Sequence, residues 1–176
     1  MAGDIKLQYG TSSVLTVTNL HSLASDQEWD SGWSSETIDN RTNENLDILL
    51  SGTFTTHASN RQAGSINVYV YSVLSGVTPT WPDLFSTGTE GTEGAAVIRG
   101  TQQRDGGLRL IASMAVDTGA SEIYTFPMTS IAAQFGGILP SVVAIFVAQN
   151  CSTTTTAGLA AAGSAIYITP VSAQYT

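Results

Sequence analysis

The chain has 176 residues with 6 basic and 14 acidic side chains, which gives a formal charge of −8. Affinity for nucleic acid depends largely on clustered Lys and Arg, so this charge argues against a nucleic-acid-binding protein. The single cysteine permits neither a disulfide nor a cysteine-based zinc cluster within one chain, while the length suffices for one domain with its own core.

Residues 1–10 are predicted to form an N-terminal arm, and residues 11–176 a single domain. The arm lacks the basic and apolar regions of a signal peptide. The longest apolar run, residues 142–148, is far shorter than the roughly 20 residues that span a bilayer. We therefore expect a soluble protein that is made in the cytoplasm and has no membrane partner.

An alternation of apolar and polar residues with period two dominates the chain and predicts β-strands. The predicted strands are residues 14–18, 29–38, 46–55, 64–74, 95–99, 108–116, 123–128, 142–148 and 165–175. Residues 130–135 predict one helical turn, and Asp105-Gly106-Gly107 predicts a β-turn. The pattern therefore indicates about eight or nine strands and very little helix.

The same alternation predicts which side chains face the core. Buried faces are predicted for Leu46, Ile48, Leu50 and Phe54, for Ile66, Val68, Val70 and Leu74, and for Leu108, Leu110, Met114 and Val116. Tyr69 and Tyr71 lie on the opposite face of their strand and would cover a second layer or a neighbouring subunit. Residues 142–148 have no polar interruption, which predicts a central strand buried on both faces. Pro170 predicts an edge strand or a bulge in residues 165–175.

Many short strands separated by Gly-, Ser- and Thr-rich connections predict an all-β fold, a single jelly-roll-like antiparallel β-sandwich. A β-barrel of the up-and-down type is the alternative. Two connections, residues 79–94 and 150–164, are longer than hairpins require. Because long loops often carry binding residues, we expect one or both of them to contact a partner.

Seven carboxylates lie between residues 26 and 47, in an order that does not match an EF-hand loop, and a glycosidase would need two of them at a set separation in a cleft. They are Asp26, Glu28, Asp30, Glu36, Asp39, Glu44 and Asp47. A solvated acidic face is the simplest interpretation, with calcium binding and a hydrolase site as alternatives. His21, His57 and Cys151 lie in no motif of a catalytic triad or thiol enzyme. We therefore predict that the protein is not an enzyme and has no catalytic residue, cofactor or metal.

Three tryptophans offer a different kind of site. Trp29 and Trp33 share strand parity and would line one face, and Trp81 lies in the long connection of residues 79–94. Exposed Trp side chains in β-sandwiches stack on sugar rings. Burial in the core or in a subunit interface is the favoured interpretation, and glycan binding by a carbohydrate-binding or tail/spike module is the alternative.

Several segments, taken in their order and spacing, resemble a family of tailed-bacteriophage virion structural proteins. These segments are Trp33-Ser34-Ser35-Glu36-Thr37-Ile38-Asp39-Asn40, Val68-Tyr69-Val70-Tyr71, Thr78-Pro79-Thr80-Trp81-Pro82-Asp83, Phe135-Gly136-Gly137-Ile138-Leu139-Pro140 and Ala165-Ile166-Tyr167-Ile168-Thr169-Pro170-Val171. Similar proteins commonly carry His-Asn-Thr-Gly after the buried strand, where this chain has Gln149-Asn150-Cys151-Ser152. That departure puts in doubt any role inferred for this loop.

The resemblance implies a β-rich protein of the phage particle, a capsid decoration (cement) protein that binds the major capsid protein and stabilises the head. Such proteins usually self-associate, so a dimer or trimer is expected. The predicted partner contacts lie in the N-terminal arm, at two of the tryptophans and in the long connection. They are Lys6, Leu7, Tyr9, Trp29, Trp33, Trp81, Pro82 and Phe85.

Overall fold

The computed structural model describes residues 4–76, 78–153 and 157–175. The chain forms two antiparallel β-sheets that pack face to face. The strands are β1 (Ile5–Tyr9), β2 (Ser13–Val14), β3 (Ser31–Ser34), β4 (Ile38–Asp39), β5 (Asp47–Thr55), β6 (Gly64–Ser72), β7 (Phe85–Thr87), β8 (Gly94–Ile98), β9 (Arg109–Val116), β10 (Ile123–Ser130), β11 (Val142–Gln149) and β12 (Ala165–Tyr175). The helices are α1 (Thr101–Gly107) and two 3-10 turns, Thr18–Leu20 and Ala132–Phe135. The predicted all-β sandwich is confirmed, and the alternative of a closed barrel is not what forms.

The strand order is that of a jelly roll. One sheet has the order β1-β12-β5-β10 with β2 also on β12, and the other has β7-β8-β3-β11-β6-β9 with β4 also on β11. If β1 and β2 count as the first strand, β3 and β4 as the second, and β7 and β8 as an insertion, the sheets read 1-8-3-6 and 2-7-4-5. This interleaving of early and late strands is the double Greek key of jelly rolls.

The main core lies between the two sheets. Strand β5 alternates strictly between buried and half-buried residues, so that Leu50 and Phe54 point inward. The ring of Phe54 stacks on Phe126 of β10, with centroids 6.2 Å apart. All residues of β11 are buried, which confirms the prediction of a central strand covered on both faces.

A second core covers the outer face of the seven-stranded sheet. Buried side chains of this core are Tyr71, Leu84, Phe85, Ala96, Ile98, Leu108, Ala144, Phe146 and Ala148. The chain between β6 and β9 supplies side chains that cover this face, and its strands β7 and β8 also extend the sheet beyond β3. The face that carries Tyr71 is therefore covered by the chain itself.

Helix α1 replaces the β-turn predicted at Asp105-Gly106-Gly107. Its first residues, Thr101-Gln102-Gln103-Arg104, include strong helix formers, and the two glycines fall in its last turn. A Cβ atom on Gly107 would overlap Leu84 Cδ2, so glycine allows the helix end to pack closely on the second core. The turn prediction is wrong because it considered the two glycines alone and not the helix-forming residues before them.

In strand β9 the predicted inward face is also partly wrong. Leu110 is exposed and Ile111 is buried, whereas Met114 and Val116 are buried as predicted. The pairing of β9 with β6 shifts register between Val68 and Tyr69. A bulge of this kind inserts one extra residue, so the side chains on one side of it point to the opposite face from that predicted by simple alternation.

Strand β12 is an internal strand, so of the two predictions for Pro170 the edge strand is wrong, and the pairing with β5 runs past Pro170 without a bulge. One side of β12 pairs with β5, and the other side pairs first with β2 and then with β1. Pro170 lies at the break between β2 and β1, where its carbonyl accepts a hydrogen bond from Gly10 N at 2.8 Å. Because the N–H and C=O of one residue point to the same side of an antiparallel strand, the N–H that proline lacks would face this break.

Within the described residues, no helix has the length and apolar character needed to cross a membrane.

Candidate interaction surface

Strand β1 and the end of β12 form a two-stranded ribbon that leaves the sandwich. Pairing of β12 with β5 ends at Val171 opposite Asp47, whereas its pairing with β1 continues to Tyr175 opposite Ile5. We call β1 together with residues 171–175 the ribbon. Residues 5–9 of the predicted N-terminal arm are therefore a paired strand, and residues 1–3 of that arm lie outside the described residues. An isolated two-stranded ribbon is marginally stable in water, so a partner surface would stabilise it.

Apolar side chains occupy one face of the ribbon. Residues that pair across antiparallel strands point to the same side, and this places Ile5 with Tyr175, Leu7 with Ala173 and Tyr9 with Val171. Four of these side chains are strongly exposed, at 75% for Ile5, 62% for Leu7, 64% for Tyr9 and 73% for Tyr175. The opposite face carries Lys6, Gln8, Ser172 and Gln174.

Loops at the same end of the sandwich add further exposed apolar residues. Leu74 is 74% exposed and Ile138 is 76% exposed, and Leu46 is about half exposed. Alternation had placed Leu46 and Leu74 on buried faces, but both lie just beyond the ends of their strands. We call the ribbon and these three loop residues the ribbon end.

Hydrogen bonds to the side chains of Asp47 and Asn40 fix two loops of the ribbon end. The Asp47 carboxylate accepts from Ala132 N at 2.8 Å, which ties the start of β5 to the 3-10 turn before β11. Asn40 donates through Nδ2 to Asn45 O at 3.0 Å and accepts through Oδ1 from Asn45 N at 2.8 Å. The loops that carry Leu46 and Ile138 are therefore fixed on the sandwich.

Two glycines set the position of Ile138. Gly136 and Gly137 have φ values of 76° and 90°, a region that glycine enters without steric cost. The N–H of Gly137 donates to Ala132 O at 2.9 Å and closes the 3-10 turn. The chain then turns outward and exposes Ile138.

Trp33 and Phe85, two of the predicted contact residues, lie in the cores. Trp33 is fully buried in the main core, and its Nε1 donates to Glu93 Oε1 at 2.8 Å. Phe85 is buried in the second core between Tyr71 and Phe146. Neither side chain is accessible to a partner, which corrects both assignments.

The tryptophans do not form a shared platform. Trp29 precedes β3 with a φ of 56°, so the alternation that put it on one face with Trp33 does not hold there. Trp29 and Trp81 both pack half-buried against the second core, and Trp81 lies with its ring centroid 5.3 Å from that of Tyr71. The predicted row of exposed indoles is absent from the described residues.

The long connection of residues 79–94 is a covering layer over the second core. Glu90 accepts from the backbone N–H of Leu84 at 3.0 Å and of Phe85 at 3.1 Å. Glu93 accepts from Asn19 N at 2.8 Å and Asn19 Nδ2 at 2.6 Å in addition to Trp33. Pro82 is half-buried in this layer. Of the predicted contacts, Lys6, Leu7 and Tyr9 remain as strongly exposed side chains.

Carboxylates of the acidic stretch stabilise turns and loops. Asp26 accepts from three backbone N–H groups, those of Glu28, Asp30 and Ser31. Hydrogen bonds from Arg41 lower the pKa of Asp39 to about 2. Within the described residues, no group of three or more His, Cys, Asp or Glu side chains is placed to hold a metal ion.

The histidines and the cysteine also lie in structural settings. His57 Nδ1 accepts from the backbone N–H of Ser59 and Asn60, and His21 Nε2 lies 3.2 Å from Ser164 O. Burial raises the pKa of the Cys151 thiol to about 11, which keeps the thiol protonated at neutral pH.

The fold and the surface define a jelly-roll β-sandwich with an apolar end. Comparisons of the chain with protein-family models, with curated proteins and with solved structures find no match.

Proposed function

We propose that the protein is a non-enzymatic structural protein of a tailed-phage virion, a decoration protein that binds the head shell and stabilises it. The observation that carries this proposal is the exposure of Leu46, Leu74 and Ile138 at the same end of the sandwich as the exposed apolar side chains of the ribbon. Soluble monomers rarely expose contiguous apolar patches larger than a few hundred Å², and larger patches mark interaction sites. The resemblance of the sequence segments supplies the identity of the partner, the major capsid protein.

The loop residues of the ribbon end are suited to repeated weak contacts. Full burial of one large aliphatic side chain contributes roughly 1.5–3 kcal/mol. Leu46, Leu74 and Ile138 together therefore contribute roughly 4 kcal/mol per copy, since each is already partly buried. On a shell with many equivalent positions, avidity between linked copies raises a weak affinity of this size.

The rival interpretation is a tail or spike component or a carbohydrate-binding module. Jelly rolls occur in lectins as well as in capsids, so the fold alone does not decide between these functions. The predicted sugar platform depended on Trp29, Trp33 and Trp81. With Trp33 in the main core, the geometry favours protein contact over sugar stacking.

The first experiment is to count copies of the chain per purified virion by quantitative mass spectrometry against the major capsid protein. Hundreds of copies are expected for a head decoration protein. A dozen or fewer would overturn the head assignment in favour of a tail or spike position. Complete absence from particles would overturn the virion proposal.

The second experiment tests the binding surface on shells that lack the protein. The variant Leu74→Asp/Ile138→Asp is expected to reduce occupancy at least about tenfold, because charge at the contact must be desolvated. Ile123→Asp is the control, since Ile123 is also strongly exposed, at 66%, but lies opposite Thr55 at the other end of the sandwich. Equal occupancy of both variants would refute the assignment of the ribbon end.

A further inference from the structure

The outer edge of β1 presents a regular set of backbone hydrogen-bonding groups. Gly10 N donates to Pro170 O on β12, and Leu46 N donates to Val171 O from the other side of β12. Antiparallel strands alternate between hydrogen-bonded and non-hydrogen-bonded pairs, so Lys6 and Gln8 bond to β12. Ile5, Leu7 and Tyr9 therefore direct their N–H and C=O groups away from β12, toward a side where no described strand pairs.

This edge lacks most of the features that protect exposed strands from pairing. Natural edge strands are blocked by Pro, by bulges, by inward-pointing charges or by a covering loop. Strand β1 contains no proline, and its register with β12 is continuous from Ile5 to Tyr9. Lys6 is its one charged residue. The edge is open to another strand.

We propose that a second copy of the chain binds this edge, with β1 of one copy antiparallel to β1 of the other about a two-fold axis at Leu7. The outward-directed residues are spaced symmetrically about Leu7, so Leu7 pairs with itself and Ile5 pairs with Tyr9 of the other copy. This register forms about six backbone hydrogen bonds between the copies. A shift of the register by one residue would bring N–H and C=O groups that point toward β12 opposite the outward-directed ones, and the hydrogen bonds between the copies would be lost.

The side chains of this pairing are complementary on both faces. On one face Ile5, Leu7 and Tyr9 of both copies form a continuous apolar layer with Tyr175. On the other face Lys6 lies opposite Gln8 of the second copy, so no like charges meet. An isologous interface requires this self-complementarity, which an unrelated strand would match only by chance.

Charge also favours contact at the ribbon. Each chain carries a formal charge of −8, so two copies repel each other over most of their surfaces. The ribbon contains no Asp or Glu, in β1 or in residues 171–175. Approach through the ribbon therefore brings no carboxylate of these two segments into the contact.

The available area predicts a reversible dimer. The exposed side chains of Ile5, Leu7, Tyr9 and Tyr175 offer roughly 400–500 Å² per copy, taking roughly 150–200 Å² for each large side chain. Because strands that pair edge to edge leave much of this apolar face uncovered, the interface stays below roughly 1,200 Å² in total, which is the size of weak or transient contacts. We expect the dissociation constant of such a dimer to lie in the micromolar range or above.

Sedimentation equilibrium of the full chain tests the dimer. The expected mass at about 100 μM is twice the monomer mass of 18.4 kDa. The N–H of Leu7 faces the partner and not β12, so Leu7→Pro leaves the pairing of β1 with β12 intact. This variant is expected to raise the dissociation constant at least about tenfold, while the control Leu7→Val stays within about threefold.

Cross-linking supplies a second readout that does not depend on proline. Leu7→Cys places two thiols across a hydrogen-bonded pair with Cα atoms about 5.5 Å apart, within the range of a disulfide. Tyr9→Cys is the control, because its thiols would lie about 14 Å apart in the same dimer. Mild oxidation is expected to link Leu7→Cys and not Tyr9→Cys.

The dimer does not rest on the proposed virion function, and it can fail independently. A monomer at about 100 μM, a trimer mass, an unchanged dimer of Leu7→Pro, or equal linkage of the two cysteine variants would each overturn it. The virion function is tested separately, by copy number and by the loop variant Leu74→Asp/Ile138→Asp, which leaves β1 unchanged.

Discussion

Replacing Tyr71 with Phe removes one hydroxyl from the second core and leaves its ring contacts in place. The Tyr71 hydroxyl lies 2.8 Å from Ser34 Oγ on β3 and accepts from Gly91 N at 3.0 Å. It therefore joins the sheet to the covering layer of residues 79–94. Burial raises the pKa of Tyr71 to about 12, so the hydroxyl stays protonated at all ordinary pH values.

The expected loss in the free energy of unfolding is about 2 kcal/mol. Ser34 is buried, so loss of its best partner leaves a polar group in the core, which costs about 1–3 kcal/mol. Gly91 N is only half-buried, and water replaces the lost bond there at little cost. For a chain of this length the loss corresponds to a fall in Tm of roughly 4–8 °C.

Urea unfolding at constant pH measures this loss, with Tyr69→Phe as the matched control. The Tyr69 hydroxyl is half-buried and receives one long bond from Asn67 Nδ2 at 3.4 Å. Its removal is expected to change the free energy of unfolding by less than about 0.5 kcal/mol. Equal effects of the two variants would refute the argument that the Tyr71 hydroxyl anchors the covering layer.

Three further predictions concern other parts of the sandwich. Partial burial acts to raise the pKa of Glu93, but the hydrogen bonds from Trp33 and Asn19 outweigh it and lower the pKa below the ordinary 4.5. The stability that this contact contributes is therefore present above pH 4.5 and is lost as the pH falls below it. Glu93→Gln should make the free energy of unfolding less dependent on pH in the acid range. The thiol of Cys151 is expected to react with a disulfide reagent at pH 8 only after denaturation, and rapid reaction of the native protein would contradict its burial. Ile145→Ala in β11 should cost about 2–5 kcal/mol in urea unfolding, and a loss under about 1 kcal/mol would show that the core collapses around the cavity.

Strand identity and burial could be predicted where a pattern is local. The period of two in β5 and the unbroken apolar run of β11 predict their buried faces because side-chain direction in a strand depends only on the pleat. Trp29 and Trp33 show the limit of this reasoning. A single positive φ at Trp29 breaks the alternation, and the pattern of apolar residues contains no sign of it.

The position of Pro170 and the interaction surface depend on tertiary contacts. Proline usually marks an edge, but here the neighbouring strand is itself interrupted, which only the folded chain reveals. The alternation of Ile5, Leu7 and Tyr9 is itself typical of a strand, although these residues lie in the segment predicted to be an arm. Exposure of Leu74 and Ile138 could not be predicted, because it depends on where β6 ends and how the 3-10 turn before β11 is closed.

The central place of β11 has a consequence for biosynthesis. Strands β3, β4 and β6 all pair with β11, yet the ribosome produces β11 after every one of them. Until Gln149 has left the ribosome, the nascent chain holds the flanking strands of this sheet without the strand that joins them. The seven-stranded sheet can therefore close only late in translation, and a nascent chain stalled before β11 should be a substrate for chaperones and proteases.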